Sequence, residues 1–217
     1  MYLSKIILDI RHPSVRQALR DVNDMHRNIM AGFPVRNGNQ AARSEMRVLY
    51  RLFSGREQMY LLVSSDAKPD PAALAARGFY TDDVLIRDVT PLREVFQAGR
   101  CLRFELFASP CCKVSGEGRN SRRVFLENRE ARAEWLTRKG ENGGFQILQL
   151  EELRGRLDIV GRRDSMTVRN SAVLFGGVLC VTDADAFWRS FSEGIGPGKA
   201  YGMGMLNVSA MQTQRFR

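Results

Sequence analysis

Only two of the 217 residues are histidines, His12 and His26. Histidine is the side chain whose ordinary pKa lets it take and give a proton near neutral pH. His12 precedes Pro13 at the head of a helical pattern and reads as a surface residue at a strand-to-helix turn. His26 falls in the last two turns of a helix expected over Ser14–Met30 and closed by Gly32 and Pro34. At about 100° per residue it shares a stripe with Val15, Leu19, Val22 and Ile29. Two readings stay open for it. One is a partly buried histidine satisfied by a hydrogen bond. The other is an imidazole at the rim of a groove, where the helix end projects past a sheet and the imidazole serves as a proton carrier. The negative end of the helix favours the protonated ring. Arg27 lies beside it and Arg36 just beyond the helix.

The second feature with chemical content is the stretch Gly194-Ile195-Gly196-Pro197-Gly198-Lys199-Ala200-Tyr201-Gly202-Met203-Gly204-Met205-Leu206. Glycines this dense build a loop, since they accept positive φ and close backbone approach. Successive amides in such a loop form a nest for an anion, and Lys199 adds charge. Gly194, Gly196, Gly198, Lys199 and Gly202 are therefore expected to grip a phosphate. The stretch is not a Walker A loop, because three residues rather than four separate Gly194 from Gly198, Ala200 follows Lys199, and a helix precedes. The same context excludes a dinucleotide fingerprint. No Asp/Glu cluster suggests a two-metal nuclease. Cys101, Cys111, Cys112 and Cys180 form no C-x-x-C pair, and neither histidine lies at zinc spacing from them. Neither a metal nor another cofactor is expected. The adjacent Cys111-Cys112 pair reads as two strand residues in a reducing cytosol rather than a disulfide.

Two halves must position these groups. In the first, Met1–Asp9 reads as a strand, Arg47–Phe53 and Met59–Ser65 as a hairpin around Ser54-Gly55, the residues after Pro71 as a short helix, and Val84–Val89 as a strand. In the second, Cys101–Ala108, Phe145–Leu150, Ala172–Val181 and Met203–Val208 read as strands. Arg129–Arg138 and Asp183–Ser192 read as helices, the latter with Asp183 as N-cap. Both orders are βαββαβ, so the expected fold is α+β, two tandem ferredoxin-like (RRM-like) domains over residues 1–90 and 99–217. Thr90 to Gly99 links them. Insertions over 111–128 and 154–170 read as basic excursions from the sheet: Lys113, Arg119, Arg122 and Arg123 in one, Arg154, Arg156, Arg162, Arg163 and Arg169 in the other. They are either solvated loops or arms that reach phosphates and guanine edges.

The net charge is +9, and lysine is confined to Lys5, Lys68, Lys113, Lys139 and Lys199, so nearly all positive charge is guanidinium. Arginine forks suit phosphates and stack on bases, which fits a nucleic-acid partner; a GC-rich genome gives the same bias. No run is long and apolar enough to cross a bilayer, and the N-terminal apolar segment is too short for a signal peptide. A soluble, cytoplasmic protein is expected.

Together these residues resemble a known family, the CRISPR-associated CasE (Cse3) endoribonucleases that process repeat RNA in type I-E Cascade. The resemblance runs almost the full length. It is carried by Met1-Tyr2-Leu3-Ser4-Lys5, by Met25-His26 with Phe33-Pro34, and by Gly99 followed by Leu102-Arg103-Phe104-Glu105-Leu106-Phe107-Ala108-Ser109-Pro110. Further along come Trp135-Leu136 with Arg138-Lys139, then Phe175-Gly176-Gly177-Val178-Leu179, Asp183, and Gly194 to Leu206. The resemblance implies metal-independent cleavage at the base of a repeat hairpin by attack of a ribose 2′-OH on the adjacent phosphate. It leaves a 2′,3′-cyclic phosphate or 3′-phosphate and a 5′-OH. It casts His26 as the proton-transfer residue and Lys199 as a phosphate contact. Arg162, Arg163 and Arg169 become a basic hairpin for the RNA major groove. It also implies a repeat RNA hairpin and other Cascade subunits as partners, and a monomer when free. Some members carry a tyrosine one turn before the histidine, where this chain has Asn23. No RNP1-type aromatic run suggests an ordinary single-strand reader. A non-cleaving repeat-RNA-binding subunit of the same fold is the alternative.

Overall fold

A strand of alternating burial opens the chain: β1 (Tyr2–Ile7) buries Ser4 and Ile6 on one face. It is followed by α1 (Pro13–Arg20), α2 (Val22–Met30), β2 (Leu49–Ser54), β3 (Met59–Ser65), α3 (Pro71–Ala75) and β4 (Leu85–Asp88). The computed structural model describes residues 1–34, 45–55, 58–76, 84–115, 121–163 and 166–211. The strands form one antiparallel sheet in the order β2-β3-β1-β4, the ferredoxin-like arrangement with β1 and β3 at the centre. Ile6, Leu61 and Val63 from the strands, with Leu8 just past β1, meet Val15, Ala18, Met25 and Ile29 from the helices in its core.

The single helix expected over Ser14–Met30 is two helices. Asp21 between them is extended at φ −139° and ψ 112°. Its amide donates to the Gln17 carbonyl, closing α1, while its carboxylate accepts from the Asn23 amide at 2.9 Å, opening α2. Aspartate competes with helical hydrogen bonds in this way, so it breaks a helix that periodicity alone would continue. The stripe from Val15 through His26 is therefore interrupted, and α2 buries Asp24, Met25 and Ile29 instead. His12 caps α1, its Nδ1 accepting from the Ser14 amide at 3.3 Å ahead of Pro13.

The link holds a short helix, α4 (Leu92–Val95), and Phe96 after it is buried in the second core. Then come β5 (Cys101–Ala108), β6 (Cys111–Ser115), β7 (Ser121–Phe125), α5 (Arg129–Asn142), β8 (Phe145–Arg163), β9 (Met166–Val181), α6 (Ala184–Glu193), a 3-10 turn (Lys199–Tyr201) and β10 (Leu206–Ala210). Their main sheet runs β10-β5-β9-β8, the same order again, with β6 and β7 as a separate hairpin. The second core joins Leu102, Phe104, Phe175 and Leu179 to Trp135, Leu136 and Phe187.

The basic stretch at 154–170 is not a loop, because the sheet strands continue through it. Pairing of β5 with β9 stops at Ala108 opposite Val173, but β8 and β9 pair on from Leu157–Ala172 to Arg163–Met166. They form a two-stranded ribbon projecting on the order of 20 Å. Register shifts between Ile147 and Leu157 bend β8 below it. Cys101 and Cys180 face each other in the β5–β9 register and form a disulfide. Among the described residues no helix is long and apolar enough to cross a membrane.

Candidate nucleic-acid interface

His26 is half-buried on α2, next to the core residue Met25 and one residue before the exposed Arg27. Half-burial is common to both sequence readings, the hydrogen-bonded histidine and the imidazole at a groove rim. The helix packs against two elements from the other half of the chain, β8 and the 3-10 turn Lys199–Tyr201. The fit to β8 is close at Gly161, where a Cβ atom would stand 2.6 Å from Asn23 Nδ2 and 2.9 Å from Val22 Cγ2. The helix that carries His26 thus lies between the arginine ribbon and the glycine loop.

The loop is built rather than slack. Gly194, Gly196, Gly198, Gly202 and Gly204 all have φ between 77° and 83°, a region closed to most side chains. The Ile195 amide donates to Gly204 O at 2.8 Å, drawing the loop's two ends together, and the Gly204 amide donates to Phe107 O at 2.7 Å, tying it to β5. Tyr201 and Met203 amides both donate to Gly198 O. These amides are spent inside the loop. Among the described residues no hydrogen bond claims the amides of Gly196 and Gly198, which line the surface described next.

Two grooves meet at Pro197. One, of about 540 Å³, is lined by Gly194, Gly196, Lys199, Lys113, Arg123 and, from α5, Lys139. The other, of about 690 Å³, shares Lys113 and Arg123 and adds Gly198, Tyr201, Asn170 and Arg169 of the ribbon. Among the described residues no acidic side chain lines either. Lys113 and Arg123 stand directly opposite each other across the β6–β7 ladder, where like charges destabilise a hairpin unless an anion lies between them. Burial pushes the Cys111 thiol, at the junction of the grooves, above its ordinary pKa. Burial likewise raises the Tyr50 phenol, which stays protonated and donates to Ala200 O at 3.1 Å, holding the turn against β2.

A buried fork fixes the walls. Arg132 of α5 makes paired 3.0 Å bonds to both carboxylate oxygens of Glu152 on β8, and its remaining nitrogen reaches the Leu126 and Glu127 carbonyls just past β7. Trp135, one turn further along α5, sits under Gly196, where a Cβ would come 2.9 Å from the indole. Lys139 lies 5.8 Å above that ring.

The residues expected at this interface therefore divide. Lys199 and the loop glycines Gly194, Gly196 and Gly198 gather with Arg169, while Gly202 faces the Tyr50 ring at the seam. Arg162 and Arg163 end β8 opposite Thr167 and Met166, and their side chains lie outside the described residues, as does Arg36 altogether. Arg27 is turned elsewhere. It pairs with the buried Asp24, which also accepts from Gln17 Nε2 at 2.7 Å. It lines a separate groove of about 940 Å³ between α1 and α2, with Arg16 and Arg20. Sequence reasoning did not single out Lys139, and it placed Lys113 and Arg123 only in a basic segment. Their convergence depends on a hairpin and a helix distant in sequence. Among the described residues no three His, Cys, Asp or Glu side chains gather as metal ligands do.

Comparison with known proteins agrees with this geometry. The family model for CRISPR-associated protein matches residues 1–209. The CRISPR-associated endoribonuclease Cse3 of Thermus thermophilus is 30% identical, the alignment covering 96% of this chain and 100% of that protein. The Cascade subunit CasE of Escherichia coli is 26% identical over 97% of this chain and 100% of its own. A solved structure of the CRISPR endoribonuclease Cse3 bound to a 19-nucleotide RNA superposes with a TM-score of 0.80 at 28% identity, covering 96% and 100% of the two chains. With the match spanning both sheets, the histidine helix and the glycine loop, this chain belongs to the CasE (Cse3) family of CRISPR-associated proteins.

Proposed function

We propose that this chain is an endoribonuclease that cuts CRISPR repeat hairpins in precursor RNA to release mature guide RNAs. The observation that carries the reading is the packing of α2, with His26, between the β8–β9 ribbon and the Lys199–Tyr201 turn, beside grooves whose charged lining, among the described residues, is basic. A base-paired RNA stem is read through its backbone and shape, so a ribbon, two basic grooves and free loop amides suit it. The names of relatives support the same reading: one is an endoribonuclease, another is a Cascade subunit, and a third structure holds RNA.

In the proposed reaction the ribose 2′-oxygen upstream of the cut forms a bond to phosphorus, and the bond from phosphorus to the 5′-oxygen of the next nucleotide breaks. The 2′-OH proton leaves to a base, and the departing 5′-oxygen gains one. His26 serves one or both transfers. Lys199 offsets the charge that builds on the phosphorane. The nucleophile is already attached beside the phosphorus, which supplies the proximity a bimolecular attack lacks, and no metal is required to generate it. The products are a 2′,3′-cyclic phosphate, or the 3′-phosphate after its opening, and a 5′-OH. Residues 1–90 form the domain that carries the proton chemistry, and residues 99–217 the domain that grips the hairpin. The free protein is a monomer acting in the cytoplasm; it keeps its product and enters Cascade with it.

The test is cleavage of the cognate repeat hairpin in EDTA by wild type and His26→Ala. Wild type is expected to yield the shortened RNA with a 5′-OH end, and the variant to bind without cutting. Cleavage only after metal is added, or a variant as fast as wild type, rejects the mechanism. Tight binding with no cleavage by wild type instead identifies a holding subunit of the same fold.

A further inference from the structure

A cleft of about 300 Å³ lies at the seam of the two sheets, and its walls are mainly apolar, unlike the basic grooves. Val22 and Met25 of α2 form one side, Tyr50 and Arg51 of β2 another, and Phe107 and Tyr201 close it from the second half of the chain. Arg51 is the unusual member. It is 7% exposed, and its Nη2 donates to Glu105 Oε2 at 3.0 Å across the seam. Its Nη1 is buried with no hydrogen-bond partner among the described residues. Buried donors without partners are rare, and one lining a cleft calls for an acceptor brought by something else. Burial also lowers the Arg51 pKa, opposed by Glu105, and the guanidinium lies over the Phe53 ring at 4.6 Å.

Resting on the proposed function, we infer that this cleft receives one unstacked nucleobase of the RNA next to the cut, with Arg51 donating to an acceptor on the base edge. The chemistry matches each wall. Sequence-specific RNA recognition takes splayed-out bases, stacks them on aromatic rings and bonds their edges. Arginine is the side chain best suited to an acceptor edge such as N7 and O6 of guanine. The volume, at the small end of ligand sites, fits one planar heterocycle rather than a base pair. The position fits too: Met25 is the neighbour of His26 in α2, and Tyr201 is two residues from Lys199. A base taken into the cleft would draw its nucleotide out of the stem and leave the adjoining phosphate beside the histidine helix. Arg51 is in this reading a specificity and positioning residue.

The test uses the full chain with His26→Ala, so that RNA stays whole, and repeat hairpins in which each nucleotide flanking the cut is replaced in turn by an abasic ribonucleotide. One abasic position is expected to weaken binding about tenfold, and the others to have little effect. Arg51→Met should weaken binding of the unmodified hairpin by a similar factor and leave binding of that one abasic RNA unchanged. Leu174→Phe, which adds bulk to the same cleft without breaking an ion pair, should give the same pattern, and it stands in if Arg51→Met does not fold. Penalties that multiply independently, or no sensitive abasic position, overturn the inference. Wild-type cleavage of the unmodified hairpin reports the proposed function separately. Cutting without abasic sensitivity removes the cleft and leaves the enzyme, while a coupled abasic effect without cutting does the reverse. Failure to bind any hairpin overturns both.

Discussion

At the scale of single residues, His26 and the Lys113–Arg123 pair do different work, and each can be isolated. His26 has its neighbours Met25 and Ile29 in the core, so the packing of α2 fixes the backbone that carries its ring. In the proton-transfer role proposed for it, loss of the group costs about 10²- to 10⁴-fold in rate. His26→Ala should show that loss in single-turnover cleavage, with hairpin affinity changed by less than about twofold. Lys113 and Arg123 instead repel each other in the free protein. Opposed like charges cost a hairpin roughly 0.2–1 kcal/mol. Lys113→Thr should therefore make the free protein slightly more stable in thermal melts while weakening RNA binding and flattening its salt dependence by about one unit of log–log slope. A variant that loses both stability and affinity would show that the pair is structural. Neither histidine role nor charge pairing is equally visible in sequence. His26 stands out because histidine is scarce, whereas Lys113 opposite Arg123 depends on a register that only the fold supplies.

At the scale of elements, the ribbon shows where sequence reading succeeds and where it stops. The βαββαβ order was legible in both halves from apolar patterning and turn residues, and the last helix from its cap, Asp183 accepting from the Ala186 amide at 2.9 Å as its type suggests. The extension of β8 and β9 came only from the resemblance, as a basic hairpin at Arg162, Arg163 and Arg169, since a two-stranded ribbon outside the sheet has no core face to impose alternation. Its Arg, Asp and Gly residues read as loop. The break at Asp21 was hidden for the opposite reason: apolar spacing continues across it. What anchors the ribbon's base is a buried ion pair, and that sets a prediction. Arg132 and Glu152 are each 9% exposed in their side chains, and the same guanidinium satisfies the Leu126 and Glu127 carbonyls. Removing one partner of a buried pair costs about 3–5 kcal/mol because the other charge is left stranded. Arg132→Met should lower the unfolding free energy by that amount in urea titrations. The double variant Arg132→Met with Glu152→Gln should recover part of it. A loss under about 1 kcal/mol would mean that the fork is solvated in solution.

At the scale of the whole molecule, the proposed proton carrier and the proposed phosphate grip belong to different halves of the chain, so the proposed cleavage depends on the seam between them, whereas both basic grooves are lined by the second half alone. That seam is made of a few specific contacts. Arg47 Nε donates to Asp66 Oδ2 at 2.6 Å and its Nη1 to Ser192 Oγ at 3.3 Å, Leu49 packs where Gly194 leaves room, and Tyr50 holds Ala200 O. Tyr50→Phe isolates one of them, since it keeps the ring against Gly202 and deletes only the hydroxyl. The lost bond is worth about 1 kcal/mol and strands the Ala200 carbonyl. For a chain of this length that corresponds to a melting temperature lower by about 2–4 °C. If the two sheets unfold as one body, the whole transition moves by that amount; if they unfold apart, the trace broadens or splits. The kinetic consequence separates the roles further. Because the turn Lys199–Tyr201 rests on both Tyr50 and α2, loosening it displaces Lys199 relative to His26 without touching the ribbon or Lys113 and Arg123. Single-turnover cleavage should slow by about tenfold, the cost of a small misplacement at a reacting phosphate, while the hairpin dissociation constant shifts by less than about twofold. Equal losses in both would mean that the Tyr50 hydroxyl acts through RNA binding rather than through the placement of Lys199, and no loss in either would mean that the two sheets need not be held in register for the cut.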